Sequence, residues 1–424
     1  MMLSVPFRHS SARTHISPYM DIGFGAAVLL FGGLLALVGA LSGLIRGTVL
    51  SASVLSVALG IGLAAAGVVS VDATDQSIVE LVELALILTL FSDGMFVERE
   101  LLRRHWSPVA RALAIAMPIT MALLALAAKA LFPDLSWAEA FLLAAVLSPT
   151  DPVVTSAVVT SRLVPSAVRH TLNLESGLND GLALPLVLFF LVLAGPGGDP
   201  AGEAAKLAGE ALVGGAIGFG LGALGGRLHH HLPGGGLTAR YEGIYSVGFA
   251  LVAFGLSEVT IGNGLIAAFV CGIAMAATER EVPQGFVEFA ENAGAVFQVL
   301  TFFVFGALIV ATGFDHSIPP LVVFVVFALL VARPAAVQLS FWRTRLPRAQ
   351  RAFMAWFGPK GVASMLFALF VLKSNVGQGE LIFDVAAITI VCSIVAHGLT
   401  DTVGARWLAD RVGLSRGWRG GGPP

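Results

Sequence analysis

Apolar stretches long enough to cross a bilayer recur along almost the whole chain, and this pattern limits the fold more than any motif does. A spanning helix needs about 20 apolar residues. Such windows run at 22–45, 48–69, 77–97, 107–130, 137–159, 168–194, 204–226, 238–258, 261–278, 287–313, 318–341, 350–373 and 380–403. The first two are joined only by Leu44-Ile45-Arg46-Gly47, and the eighth and ninth are divided at Thr260-Ile261-Gly262. Hydrocarbon satisfies no backbone polar group, so windows of this length must be helical. The expectation is an all-α polytopic membrane protein of about 13 transmembrane helices.

Composition agrees, and it excludes other classes. The 424 residues are 56% hydrophobic and 12% charged, against roughly 25% charged in soluble domains. A net charge of −2 argues against a nucleic-acid partner, which would demand clustered Lys and Arg. Cys271 and Cys392 lie in apolar runs and suggest no disulfide framework. No H-E-x-x-H, G-x-S-x-G or Walker-type loop occurs, so hydrolase and ATP-driven readings lack their residues. Nor is a cofactor expected, and the 49 glycines point to close helix packing rather than a cofactor loop.

Basic residues orient the windows, because cytoplasmic loops are enriched in Lys and Arg. One side carries Arg46, Arg99, Arg103, Arg104, Arg162, Arg169, Arg227, Arg240, Arg280, Arg343, Arg345, Arg348, Arg351, Arg406, Arg411, Arg416 and Arg419. The other carries Arg8, Arg13, Lys129, Lys206 and Lys373. The N-terminus is therefore expected outside and the C-terminus in the cytoplasm. Residues 1–21 lack a compact apolar core and cleavage site and read as a retained tail, with 406–424 as a short cytoplasmic tail. His229-His230-His231 falls in a predicted cytoplasmic loop and reads as a solvated turn.

Five charges share one layer deep inside the windows. At 1.5 Å per residue, Glu175 lies about 10 Å from the cytoplasmic end of its helix, Asp151 and Arg333 about 12 Å, Lys360 about 15 Å and Asp180 about 18 Å. A charge at that depth costs about 2.5–3.5 kcal/mol even on lenient scales, and is normally kept for ions, protons or substrate. Three acids and two bases in one layer suggest mutual compensation.

Two of the windows are also broken. Pro149 and Pro152 flank Thr150-Asp151 in the fifth, and Gly358-Pro359-Lys360-Gly361 interrupts the twelfth. Taking 22–194 and 238–403 as two halves, with 204–226 as linker, these breaks occupy matching positions. Paired interruptions mark a transporter site at an inverted-repeat interface. Asp151 and Lys360 are placed to compensate the facing half-helix dipoles.

With these residues in hand, the chain resembles the monovalent cation:proton antiporters of the NhaP and NHE type. Thr150-Asp151-Pro152 looks like the family's TDP, Glu175-Ser176 with Asn179-Asp180 like its ES..ND signature, and Ala332-Arg333-Pro334 like its arginine-bearing helix. Gly358-Pro359-Lys360-Gly361 stands where relatives often have G-x-R-G, and Leu90-Phe91-Ser92-Asp93-Gly94 and Gly262 to Phe269 match more weakly. The resemblance covers roughly 22–405. It implies crossed unwound helices, with Asp180 as the principal cation and proton carboxylate. Asp151, Ser176 and the Thr150 carbonyl would help it to hold Na⁺, Asn179 would be a hydrogen-bonding neighbour, and Glu175 and Arg333 would form a structural ion pair.

Lys360 is left between charge compensation and the substrate path. Asp93 is an accessory ligand or a solvated helix-end acid. Asn179, where electrogenic relatives carry Asp, implies electroneutral exchange. A homodimer in a prokaryotic plasma membrane is implied as well. A K⁺-preferring antiporter, a cation channel and a sodium-coupled symporter remain alternatives.

Overall fold

The computed structural model describes residues 24–45, 52–71, 75–96, 106–151, 161, 163–196, 200–229, 231, 238–278, 284–313 and 317–413. Fourteen helices and no strand lie among the described residues. They are α1 (Phe24–Ile45), α2 (Ala52–Ala65), α3 (Gln76–Phe96), α4 (Trp106–Leu131), α5 (Trp137–Val146), α6 (Ser166–Ala194) and α7 (Pro200–His229). They continue with α8 (Ala239–Glu258), α9 (Gly264–Thr278), α10 (Gln284–Thr312), α11 (Ile318–Ser340), α12 (Arg348–Trp356), α13 (Val362–Lys373) and α14 (Gly379–Val412). Every apolar window contains a helix. The twelfth contains two, because Phe357 to Gly361 is non-helical.

Six stretches, Trp106–Leu131, Ser166–Ala194, Ala201–Leu228, Asn292–Thr312, Ile318–Ser340 and Gly379–Val412, are each long and apolar enough to cross a bilayer. α5 and α13 are shorter because α5 stops at one break and α13 starts at the other. α5 starts in a capping box, Ser136 accepting from Glu139 N while Glu139 accepts from Ser136 N, as Ser-x-x-Glu predicts. Glu139 Oε1 also accepts from Gln378 N at 3.0 Å, so one carboxylate ties the starts of α5 and α14. α14 runs through residues 406–412 and stops at Gly413, whose φ of 79° is the left-handed end that glycine adopts without strain.

α4 and α11 each contain a π-helical turn, Ala112–Ala116 and Ala328–Ala332. In each the turn is followed two residues later by a proline, Pro118 or Pro334. A proline inside a helix removes one amide donor and crowds the preceding turn, and widening that turn accommodates both effects. Arg333 directly follows the second such turn.

The helices pack in two groups. α2, α3, α7, α8, α9 and α10 contact one another extensively, while α4, α5, α6, α11, α12, α13 and α14 form the second set. Inside the first set glycines let backbones touch. A Cβ on Gly60 of α2 would overlap Phe303 O, and one on Gly306 of α10 would overlap Val57 O. Gly94 and Gly272 make the same reciprocal contact between α3 and α9, and Gly214, Gly218 and Gly222 line α7 against α9. Close approach of this kind is the main source of packing energy where lipid and side chain are equally apolar.

Overpacking a tight contact costs about 1–3 kcal/mol. Gly306→Val is therefore expected to lower the thermal unfolding midpoint in detergent by several degrees. Gly248→Ala, where a Cβ meets nothing within 4 Å, should leave the midpoint in place. Equal midpoints for the two variants would refute the close-contact account.

Candidate ion site at the crossed helix breaks

α5 ends at Val146 and the chain is non-helical through Pro149, Thr150 and Asp151. Here it crosses the second break. Asp151 N donates to Pro359 O at 2.8 Å; Lys360 Nζ donates to Pro149 O at 3.2 Å and Lys360 N to Ser393 Oγ of α14 at 3.1 Å. Each interruption thus satisfies backbone groups that lipid would leave bare. Gly361 is needed here, since a Cβ on it would overlap the Asp151 carboxylate. Pro152 lies outside the described residues.

α6 lies alongside the first break and holds it by three hydrogen bonds. Asn179 Nδ2 donates to Thr150 Oγ1 at 2.7 Å, Thr150 N donates to Asn179 Oδ1 at 3.2 Å, and Ser176 Oγ donates to Thr150 O. Ser176 and Asp180 share a face at i and i+4. Asp180 is buried, and its Oδ1 has no hydrogen-bond partner among the described residues. The charged groups that face it are Asp93, Asp151 and Lys360.

Asp93 is drawn into this group rather than left as a solvated helix end. It is half-buried on α3 against Gly177 of α6, where an added Cβ would sit 3.1 Å from Asp93 Cβ. His231, by contrast, is exposed in its turn, with Nδ1 2.9 Å from Arg227 O; His230 lies outside the described residues.

Glu175 is turned to a different partner. Its Oε1 is 2.8 Å from Arg333 Nη1, with side chains 5% and 11% exposed. Arg333 Nη2 also donates to Phe357 O at 3.4 Å, and its guanidinium lies where a Cβ on Gly358 would be. The pair therefore links α6 to α11 and to the end of α12.

Three residues at this junction carried no role in the sequence reading. Gln298 Nε2 of α10 donates to Asp151 Oδ2 at 3.0 Å. Ser393 Oγ lies 3.2 Å from His397 Nδ1, and His397 Nε2 lies 2.9 Å from Trp356 O, so both hold the second break. Their signals were a lone amide in an apolar window and a Ser/His pair at i, i+4.

The site offers carboxylate, hydroxyl, amide and carbonyl oxygens, the ligands of a hard monovalent or divalent cation. Among the described residues no three His, Cys, Asp or Glu side chains come close enough to hold a metal ion. A cation here would draw on neutral oxygens of Thr150 and Ser176 as well as carboxylates.

Such crossed, charge-compensated breaks in a helical bundle are the architecture of a secondary transporter. Residues 33–404 match the family model described as sodium/hydrogen exchanger, transmembrane. The chain belongs to the sodium/hydrogen exchanger family, a family of transporters rather than enzymes.

Among curated relatives, the K(+)/H(+) antiporter NhaP of Alkalimonas amylolytica is 29% identical over 335 residues, which is 78% of this chain and 57% of that protein. The K(+)/H(+) antiporter NhaP2 of Shewanella sp. (strain MR-4) is 26% identical, covering 91% of this chain and 68% of the relative. This chain thus spans little more than half the length of the first. The solved structure of the sodium proton antiporter MjNhaP1 from Methanocaldococcus jannaschii at pH 8 superposes with a TM-score of 0.72 at 19% identity, covering 91% of this chain and 98% of that one. The fold is of the NhaP antiporter type.

Removing one partner of a buried ion pair strands the other and costs about 3–5 kcal/mol. Glu175→Gln and Arg333→Met should each lower the unfolding midpoint strongly, while the double variant should lose much less than the sum. Additive losses would show that the two groups do not stabilise each other.

Proposed function

We propose that this chain is an antiporter that exchanges a monovalent cation for a proton, with both competing for Asp180 assisted by Asp151. The observation that carries the reading is the buried Asp180 oxygen without a hydrogen-bond partner among the described residues, at a crossing where oxygens of Thr150 and Ser176 converge. A desolvated carboxylate favours whatever neutralises it, a cation or a proton. Competition at one site then couples the two fluxes. A loaded site is near neutral and can be carried between the two faces, whereas the empty anionic site is costly to move through the bilayer.

Na⁺, with Li⁺ beside it, is the preferred cation of this reading. K⁺ is the second reading, favoured by the names of the relatives from Alkalimonas and Shewanella. Asn179 beside Asp180 supports electroneutral exchange of one cation for one proton, since the pair carries a single carboxylate. Ser176 and Thr150 act as neutral ligands and Asp93 as an accessory one. Glu175 with Arg333 braces the site, and Lys360 compensates the end of α5.

The inverted repeats at 22–194 and 238–403, the linker helix at 204–226, the tails at 1–21 and 406–424, and a homodimer in a prokaryotic plasma membrane complete the proposal. The N-terminus would lie outside and the C-terminus in the cytoplasm.

Proteoliposomes carrying an acidic interior, followed by fluorescence dequenching on addition of Na⁺, Li⁺ or K⁺, test the reading. Cation-dependent proton flux that saturates, and that is insensitive to an imposed membrane potential, is expected from the wild type. Asp180→Asn should abolish it. Robust cation-driven flux in Asp180→Asn would remove Asp180 from its role, and non-saturating, potential-driven current would mark a channel.

A further inference from the structure

One polar contact joins the two helix groups directly at the ion site. Gln298 stands in the apolar run Val296-Phe297-Gln298-Val299-Leu300 of α10 and is 8% exposed. α10 packs chiefly on α2, α3 and α8. Asp151 belongs to the opposite group, fixed by its own amide to Pro359. The 3.0 Å bond from Gln298 Nε2 to Asp151 Oδ2 therefore crosses from one group to the other. An ionised carboxylate only accepts, so the amide must present its NH₂ end there.

We infer that Gln298 is a latch on the empty site: it holds the Asp151 carboxylate to α10 until a monovalent cation takes that carboxylate. This rests on the antiport reading above, and Gln298 acts through Asp151 as a positioning residue. Gly361 backs the carboxylate so closely that a Cβ would overlap it, which confines Asp151 between the second break and Gln298. A cation bound to Asp151 and the positive end of the amide dipole repel each other. Binding therefore weakens the bond from Gln298, and cation release restores it. Hydrogen bonds to a full charge are the strong ones, so the contact is tightest when the site is empty and ionised. The latch opposes movement of the unloaded site relative to α10, the movement that would uncouple the two fluxes.

The test compares wild type with Gln298→Met, isosteric but without a donor, Gln298→Asn, whose amide is too short to reach, and Gln298→Lys, a stronger donor. Dequenching titrated with Na⁺, Li⁺ and K⁺ should give an apparent KM about tenfold lower in the first two variants, the effect of losing a competing bond to a charged group. Their maximal rates should stay near wild type, with cation entry now occurring without proton counterflow. Gln298→Lys should raise KM. Thermal protection by Na⁺ in detergent should shift in the same directions and needs no transport.

An unchanged or raised KM in Gln298→Met and Gln298→Asn overturns the latch, as does a lowered maximal rate with KM intact, which is the signature of a mere brace. A wild type that shows no cation-driven proton flux defeats the antiport reading instead. In that case the Na⁺ protection series still decides the latch, which falls if protection is equal in wild type and Gln298→Met.

Discussion

The structure depends on two broken helices meeting in the bundle and completing each other. A break exposes amide and carbonyl groups that a bilayer cannot satisfy, and it leaves helix ends with partial charge. Both problems are solved at one junction. The C-terminal end of α5 is met by Lys360, which donates to Pro149 O. The N-terminal end of α13 is met by Asp151, packed on Gly361. The C-terminal end of α12 is met by Arg333 at Phe357 O and by His397 at Trp356 O. Each of these three helix ends therefore has a side chain of suitable charge or hydrogen-bonding capacity beside it. Remove the crossing and those side chains become buried charges without purpose.

Two acids on α6 show how position decides the role of a carboxylate. Glu175 and Asp180 are both buried. Glu175 faces α11 and is consumed by Arg333, which also caps α12, so its charge is compensated in place. Asp180, little more than a helical turn further on, faces the crossing, where Asp93 and Asp151 share its field. Under the antiport reading, its oxygen without a partner among the described residues is where an ion or a proton supplies the missing interaction. The family resemblance implies that Glu175 and Arg333 pair, and sequence depth, which puts both about 10–12 Å in, independently agrees with it.

What could be read in advance was whatever depends on local rules. Window length foretold the helices, and Pro149, Pro152 and Gly358-Pro359-Lys360-Gly361 foretold the breaks. Contacts between windows distant in sequence followed no such rule. Gln298 appears in sequence as one polar residue in a run of apolar ones, and only the packing of α10 aims it at Asp151. Ser393 and His397 share a helix face, but nothing local says that face meets Lys360. Asp93 looked like a helix end because the third window stops near it; Gly177 opposite is what lets α6 come close enough to draw it in. The π-helical turns before Pro118 and Pro334 were likewise invisible, since a proline in an apolar run is compatible with a kink as much as with a widened turn.

Under the antiport reading the groups must shift against each other, and the kind of packing at their boundary bears on how easily. Within the first group glycines bring backbone onto backbone, as Gly60 with Gly306 and Gly94 with Gly272, and a displacement there must break reciprocal contacts. At the boundary α6 instead presents Gly177 to Asp93 and Gly181 to the ring of Phe269. These glycines lie at i and i+4 and form a smooth strip on α6 facing side chains of α3 and α9. A strip without side chains has no knobs to lift out of holes. Sliding α6 along it gives up dispersion contacts a few at a time rather than forcing a concerted repacking. The polar bonds that cross between the groups then weigh heavily, because little steric interlock accompanies them along this strip. The amide of Gln298 on Asp151 is such a bond, and its place on the ion site lets occupancy of the site, rather than packing, set the resistance to movement.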